Sequence, residues 1–310
     1  MLIVEDLIMA AAGNWQSFSN ELARVSEEAG KSVVSIHAGH RHNGSGVLWR
    51  ENIVITADHL IRNEEDIVVV LSSEKNSKAT VLGRDAATDL ATLRLSEAGN
   101  LKAATFGGAS DLKIGNYVLA LGRSRRGNVV ASAGIISGLM GSWRTWQGSE
   151  IEQFIRPDLT LYPGFSGGPL IDSRGQFLGI NTLGLRRSTP ICIPHTTLKR
   201  VCEELTTRGS VARPYLGIAV RPVQVSDRTR EELGLGTPYG VLVIQIEPKG
   251  PADESSMLIG DVLVRAGGES IADSEDLLDL LSKKRIGDEL EAYVVRGGKL
   301  VTLRIKLDAK

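Results

Sequence analysis

The chain has 310 residues, a formal net charge of −1, 42% hydrophobic residues and 24% charged residues. Single cores stop growing at about 250–300 residues, so this length predicts two domains, and the ordinary composition excludes wholesale disorder. Near-neutral charge with dispersed basic residues excludes an electrostatic footprint for nucleic acid; the densest basic group, Arg123, Arg125 and Arg126, reads as a solvated loop.

In chain order, Met1 to Ala12 is apolar but is broken by Glu5 and Asp6 and has no basic leader, so it does not read as a signal peptide. The expected compartment is the cytoplasm if this start is native, and the periplasm if an upstream signal has been removed. No apolar run approaches the roughly 20 residues that span a bilayer, so no integral membrane segment is expected. Ser17–Ala29 predicts a helix at the end of an N-terminal segment, 1–30. Short β-type runs follow at Ser32–His37, Gly46–Trp49, Ile53–Thr56, Ile67–Leu71, Ala91–Leu95 and Tyr117–Leu121, most bounded by turn residues. Many short strands with little helix between them predict a sandwich or barrel.

Leu198, Val201, Cys202 and Leu205 recur at helical spacing and predict a closing helix over Thr197–Thr207. The polar stretch Thr206–Pro214 reads as a linker, dividing a first domain, 31–209, from a second, 213–308. The second domain predicts strands at Gly217–Val220, Gly240–Ile246 and Val262–Ala266, a Gly250-Pro251 turn, a helix over Ser274–Lys284 starting at Ser274, and strands around Tyr293 and Leu303. Cys192 and Cys202 are expected as buried free thiols.

Three residues could carry chemistry together. Ser166 lies in Pro163-Gly164-Phe165-Ser166-Gly167-Gly168-Pro169, where glycines permit tight backbone and close approach of a substrate carbonyl. A serine hydroxyl is a weak nucleophile that needs a base and oxyanion donors, and the amides of Gly164 and Ser166 are the natural donors. His59 ends an apolar strand in Thr56-Ala57-Asp58-His59, and Asp89 precedes an alternating strand in Thr88-Asp89-Leu90-Ala91. Taken singly, His59 reads as a structural residue and Asp89 as a turn residue, whereas the Ser166 motif alone already favours catalysis over a plain turn. Their order, His then Asp then Ser, is that of chymotrypsin-type enzymes.

These motifs, with Gly44-Ser45-Gly46-Val47, Ser132-Ala133-Gly134-Ile135-Ile136-Ser137 and Gly179-Ile180-Asn181-Thr182, resemble those of the HtrA (DegP/DegS-type) serine proteases from about Ser17 to Leu307. The resemblance implies a mainly β chain, a chymotrypsin-like double six-stranded β-barrel followed by a small α/β PDZ domain. It implies that Ser166 attacks a peptide carbonyl, His59 relays the proton and Asp89 fixes the imidazole tautomer. Unfolded or damaged proteins would be the substrates, without a cofactor or metal. Thr182-Leu183-Gly184 resembles the strand that pairs with substrate backbone. Tyr215-Leu216-Gly217-Ile218 resembles the loop that binds a peptide's terminal carboxylate, with Gly240-Val241-Leu242-Val243, Gly250-Pro251-Ala252 and Gly260-Asp261-Val262-Leu263 extending the match. Trp15 and Phe18 are the trimer-forming aromatics that the resemblance implies. Phe165 stands where the family usually has Asn, and Leu159-Thr160-Leu161-Tyr162 where it has small residues, so the bulk of Phe165 and Tyr162 works toward a shifted oxyanion loop.

Other readings compete. Gly164-Phe165-Ser166-Gly167-Gly168 also satisfies the α/β-hydrolase elbow, with Asp172 and His195 downstream, but that elbow needs a helix after the serine. His37, His40 and His42 lack a zinc-motif spacing. An inactive, chaperone-like protein that keeps the fold and captures peptide C-termini is the non-enzyme alternative.

Overall fold

The computed structural model describes every residue except 1, 40–42, 74, 98, 100, 108–110, 146, 187–188 and 310, and leaves aside the side chains of 2–13 and 43. The chain divides into two compact units, one formed by residues up to Thr145 together with Glu150–Val211, the other built on Ala212–Lys310.

Helix α1 spans Leu2–Gly30, longer than the Ser17–Ala29 expected. Six strands follow: β1 (Val33–His37), β2 (Asn43–Arg50), β3 (Ile53–Thr56), β4 (Ile67–Val70), β5 (Asn76–Asp85) and β6 (Leu90–Leu95). They close into a barrel in the order β1-β2-β3-β6-β5-β4. Its interior is filled by β-branched and aliphatic side chains, among them Val34, Ile36, Val54, Ile67, Val69 and Leu93. Closure removes the sheet edges that such hydrophobic strands would otherwise expose.

A second barrel, ordered β11-β14-β13-β12-β7-β8, uses β7 (Tyr117–Arg123), β8 (Val129–Met140), β11 (Phe154–Asp158), β12 (Pro169–Asp172), β13 (Phe177–Thr182) and β14 (Ile191–Pro194). The two-residue strands β9 (Trp143–Arg144) and β10 (Glu150–Ile151) pair beside it. Helix α2 (His195–Arg208) closes the unit and buries Leu198, Val201, Cys202 and Leu205, the face its periodicity predicts. That face joins Val33, Ile55, Leu119 and Leu121 in one core shared by both barrels. Burial of each such side chain stabilises by roughly 1.5–3 kcal/mol.

The basic group divides. Arg125 and Arg126 are exposed, but Arg123 is buried. Its Nε donates to the carbonyl of Val33 at 2.6 Å and an Nη to that of Gly30 at 2.6 Å. Gly30 ends α1, where carbonyls lack helical partners and carry partial negative charge, so a guanidinium is held there instead of in solvent. Both cysteines are free and buried. His40 and His42 lie outside the described residues.

In the second unit, β15 (Pro214–Tyr215) pairs with β22 (Asp308–Ala309). The main sheet runs β16 (Ile218–Gln224), β17 (Tyr239–Ile246), β18 (Val262–Ala266), β20 (Glu289–Arg296), β21 (Lys299–Lys306), with β19 (Glu269–Ser270) on β18. Helix α3 (Asp227–Leu233) was not read from the sequence, and the Gly-Pro turn opens a single helical turn, α4 (Pro251–Glu254), with proline in its first turn. Helix α5 (Ser274–Ser282) begins at Ser274 as expected and ends two residues before Lys284. The carboxylate of Asp273 accepts from the amides of Glu275 and Asp276 at 2.8 and 3.0 Å, leaving Ser274 as the first helical residue. Among the described residues no helix is long and apolar enough to cross a membrane.

Candidate active site

His59 stands on a short 3-10 turn, Asp58–Leu60, that β3 delivers at the barrel rim. Asp89 sits in a turn fixed by Asp85, whose carboxylate accepts from the Thr88 hydroxyl at 2.6 Å and the Ala87 amide at 3.3 Å. The turn leaves Asp89 at φ 55°, a left-handed conformation sparsely used by residues other than glycine and tolerated by Asp. That backbone is held from two sides: the Asp89 amide donates to Ala86 O, and the Asp58 amide donates to Asp89 O at 3.1 Å. The result is a double grip on the histidine. Asp89 Oδ1 accepts from the His59 amide at 2.9 Å, and the ring Nδ1 lies 3.0 and 2.9 Å from the two carboxylate oxygens. A bond at Nδ1 leaves Nε2 as the free ring nitrogen.

Thr182, at the end of β13, donates its hydroxyl to Asp89 Oδ2. Gly184 lies behind the same pair, and a Cβ there would stand 2.4 Å from Asp89 Oδ2 and 2.8 Å from His59 Nδ1. Both residues pack against the carboxylate, and the Gly184 amide donates to Thr182 Oγ1 at 2.8 Å. Glycine at 184 is thus required by the proximity of the imidazole and carboxylate.

Burial of the His59 ring disfavours its cation, but the hydrogen bond and charge of Asp89, reinforced by the charge of Asp58, outweigh burial and the opposing Arg62 and raise its pKa. Asp58 is itself buried, which raises its pKa, while Arg84 works against that through Nε, 2.6 Å from Oδ1. For a reaction that uses the free imidazole as base, the acid limb of kcat/KM is therefore expected above the ordinary histidine value of 6.5. Asp58→Asn removes one of the charges favouring the cation and is expected to move that limb to lower pH; a pH–rate profile that does not move would refute the coupling.

The Ser166 loop is sewn to the first barrel. Ser45, buried in β2, donates its amide to Ser166 O at 2.9 Å and its hydroxyl to Gly164 O at 2.6 Å, while accepting from the Arg123 amide at 2.8 Å. The Thr56 hydroxyl, three residues before His59, donates to Ser45 O at 2.7 Å. Gly164 has φ 101°, which glycine adopts without strain. Among the described residues the amides of Gly164 and Ser166 donate to no carbonyl, whereas those of Phe165, Gly167 and Gly168 are taken by Tyr162, Asn181 and Phe165. Two donors are left uncommitted beside one hydroxyl.

Phe165 does not crowd this loop. Its ring is buried in the second barrel with Val118, Ile136, Ile155 and Leu170, tilted against Tyr162 at 6.0 Å. The bulk that worked toward a shift instead anchors the turn from below. Among the described residues no hydrogen bond joins Ser166 Oγ to the His59 ring, so the structure closes the His–Asp contact and leaves the hydroxyl unbonded to the imidazole. The hydrolase elbow finds no helix: β12 follows Ser166, Asp172 Oδ1 accepts the amides of Arg174 and Gln176 in a turn, and His195 opens α2.

In the second unit, Leu216 is buried and Gly217 leads into β16, the edge strand of its sheet. Among the described residues, the amides of Leu216 and Gly217 donate to no carbonyl, although their own carbonyls accept from Ala252 and Glu247. Ile218 and Val220 on β16, and Leu281 on α5, flank this loop as partly buried apolar groups over the core.

Sequence reasoning missed the structural roles of Ser45, Arg84 and Thr182. Ser45 and Thr182 lay within quoted motifs, but nothing local marks a hydroxyl as tied to a loop more than a hundred residues away or to a buried carboxylate.

Comparison with known proteins fits this arrangement. The trypsin-like peptidase domain family matches residues 44–180 and the PDZ domain family residues 214–307. The serine protease Do-like HtrA of Bacillus subtilis is 30% identical over 328 aligned positions, covering 99% of this chain and 72% of that protein. The chain belongs to the HtrA family of serine proteases. A probable periplasmic serine endoprotease DegP-like from Halomonas elongata is 32% identical over 85% of this HtrA chain, which spans 56% of that protein's length. A solved HtrA-type protease, AlgW with a decapeptide, superposes with a TM-score of 0.67 at 26% identity, covering 94% of this chain and 98% of that one.

Proposed function

We propose that this HtrA-family chain is a serine endopeptidase in which Ser166 is the nucleophile, His59 the general base and Asp89 the residue that orients and stabilises the imidazolium. The observation that carries the reading is the grip of Asp89 on both the ring and the amide of His59. Ser166 Oγ attacks the scissile carbonyl as His59 Nε2 takes its proton, and the carbonyl oxygen gains negative charge that the amides of Gly164 and Ser166 receive. His59 returns the proton to the leaving amine, and the acyl-enzyme is hydrolysed by water activated in the same way. Catalytic hydrogen bonds are often long before substrate binds, so the serine–histidine bond forms in the complex.

Unfolded or damaged polypeptides are the proposed substrates, with Leu183 and its neighbours beside their backbone. The PDZ unit binds peptide C-termini, their carboxylate on the amides of Leu216 and Gly217 between Tyr215 and Ile218. Trp15, 72% exposed, stacks edge-on with Phe18, which meets Tyr117 at 5.3 Å; this open aromatic row supports self-association as a homotrimer. A periplasmic setting is the proposed compartment, as in the name of the Halomonas relative.

The test is labelling of the intact chain with a fluorophosphonate probe. Stoichiometric labelling that disappears in Ser166→Ala is expected. Equal labelling of that variant would overturn the assignment, and no labelling alongside retained peptide binding would favour the inactive, chaperone-like alternative.

A further inference from the structure

Ser45 commits every polar group it has within the catalytic unit. Its amide donates to Ser166 O, its carbonyl accepts from the Thr56 hydroxyl, and its buried side chain stands between the Arg123 amide at 2.8 Å and Gly164 O at 2.6 Å. An amide only donates, so the Arg123 N–H occupies a lone pair of Oγ and the single hydroxyl hydrogen is committed to Gly164 O. Strand β7 covers this bond: a Cβ on Gly122 would stand 3.2 Å from Ser45 Oγ and 3.3 Å from Gly164 O. Gly164 O belongs to the peptide that links Gly164 to Phe165, and the N–H of that same peptide donates to Tyr162 O at 3.1 Å. A peptide is a rigid plane, so a bond at each edge fixes its tilt.

The two proposed oxyanion donors hang from the two ends of this plane, the amide of Gly164 before it and that of Ser166 after it. Its tilt therefore sets the angle between them. Glycine resists rotation least, and Gly164, at φ 101°, is the residue about which an unheld plane would turn. We propose that Ser45 is a positioning residue for peptide hydrolysis, given Ser166 as the nucleophile as proposed above: its hydroxyl holds the Gly164–Phe165 peptide so that both flanking amides face the same oxygen. Ser45 touches neither the substrate nor the His59 ring, and acts only through the plane it holds. Because the ground-state carbonyl carries little charge and the transition state carries much, a loosened plane is felt in the chemical step and not in substrate binding.

The experiment uses the intact chain, a denatured protein as substrate, and N-acetylated dipeptide boronic acids with Ala, Val, Leu or Phe at the boron-bearing position. In the boronate adduct Ser166 Oγ bonds to boron, its proton passes to His59 Nε2, boron takes the negative charge, and a boron-bound hydroxyl stands where the oxyanion would. Ser45→Ala is expected to lower kcat by about ten- to a hundredfold, short of the loss of a donor outright, with KM within about twofold of the parent. Affinity for the tightest boronate is expected to fall by the same factor as kcat, and the acid limb of the pH–rate profile to stay where it is. Ser45→Cys keeps the shape and most of the packing but replaces the hydroxyl by a weak donor, so the same parallel fall, smaller in size, is expected; should Ser45→Ala not fold, Ser45→Cys decides the comparison. A folded variant whose kcat stays within about twofold of the parent overturns the inference, as does one whose kcat falls while boronate affinity holds. Failure confined to the Ser45 variants leaves the protease reading intact. If Ser166→Ala abolishes neither cleavage nor boronate binding by the parent chain, that reading falls and this inference with it.

Discussion

Asp89→Asn is expected to lower kcat by on the order of 10⁴-fold while the fold and peptide affinity persist. The asparagine has the shape of the carboxylate, so the turn set by Asp85 and the left-handed backbone at 89 need not change. What changes is the partner of the ring. An amide that presents its N–H₂ to Nδ1 forces the proton onto Nε2, the nitrogen that must be free to accept from Ser166, and an amide no longer stabilises the imidazolium. Thr182 donates to Oδ2 and the His59 amide to Oδ1, so an amide nitrogen at either position also faces a donor that the carboxylate had accepted. Single-turnover cleavage of a denatured protein across pH reads the effect. A loss smaller than about tenfold would show that the carboxylate is only a structural acceptor.

The second large effect is expected at Phe165. Truncation to alanine removes a ring buried among Val118, Ile136, Ile155, Leu170 and Leu178, and large-to-small changes of this kind cost about 3–5 kcal/mol. The catalytic consequence is separate, because Phe165 lies between Gly164 and Ser166, whose amides are the proposed oxyanion donors. A loop freed of its anchor loses alignment of at least one donor, for which a fall in kcat of about 10²–10³ is the usual scale. Phe165→Leu retains most of the volume and is expected to cost under about 1.5 kcal/mol. Urea unfolding and kcat measured on both variants separate the anchor from the hole. If Phe165→Ala unfolds at the parent's midpoint, the buried ring is not what holds the turn.

Much of this architecture was legible in local pattern. The strand at Ile53–Thr56 matches its apolar run, and the buried face of α2 matches its helical spacing, because such patterns report which side of an element meets the core. Arg123 was misjudged for a complementary reason. Three arginines in a Gly-bounded turn look alike in sequence, and only the approach of Gly30 O and Val33 O gives one of them acceptors that compensate its burial. The start of α5 at Ser274 was legible from its acidic first turn, whereas its cap, Asp273, was not read.

By itself the sequence determined the kinds of group available: an imidazole, a carboxylate and a hydroxyl in a recognisable order, and a glycine-rich turn around the last. Tertiary structure decided which of them meet and which way they face. The His59–Asp89 contact spans 30 residues and the Ser45 tie to the nucleophile loop spans 119, distances over which chain connectivity carries no directional information. Periodicity tells a side chain's burial from its neighbours along the chain, but a hydrogen bond's direction is set only when the partner arrives from elsewhere in the fold.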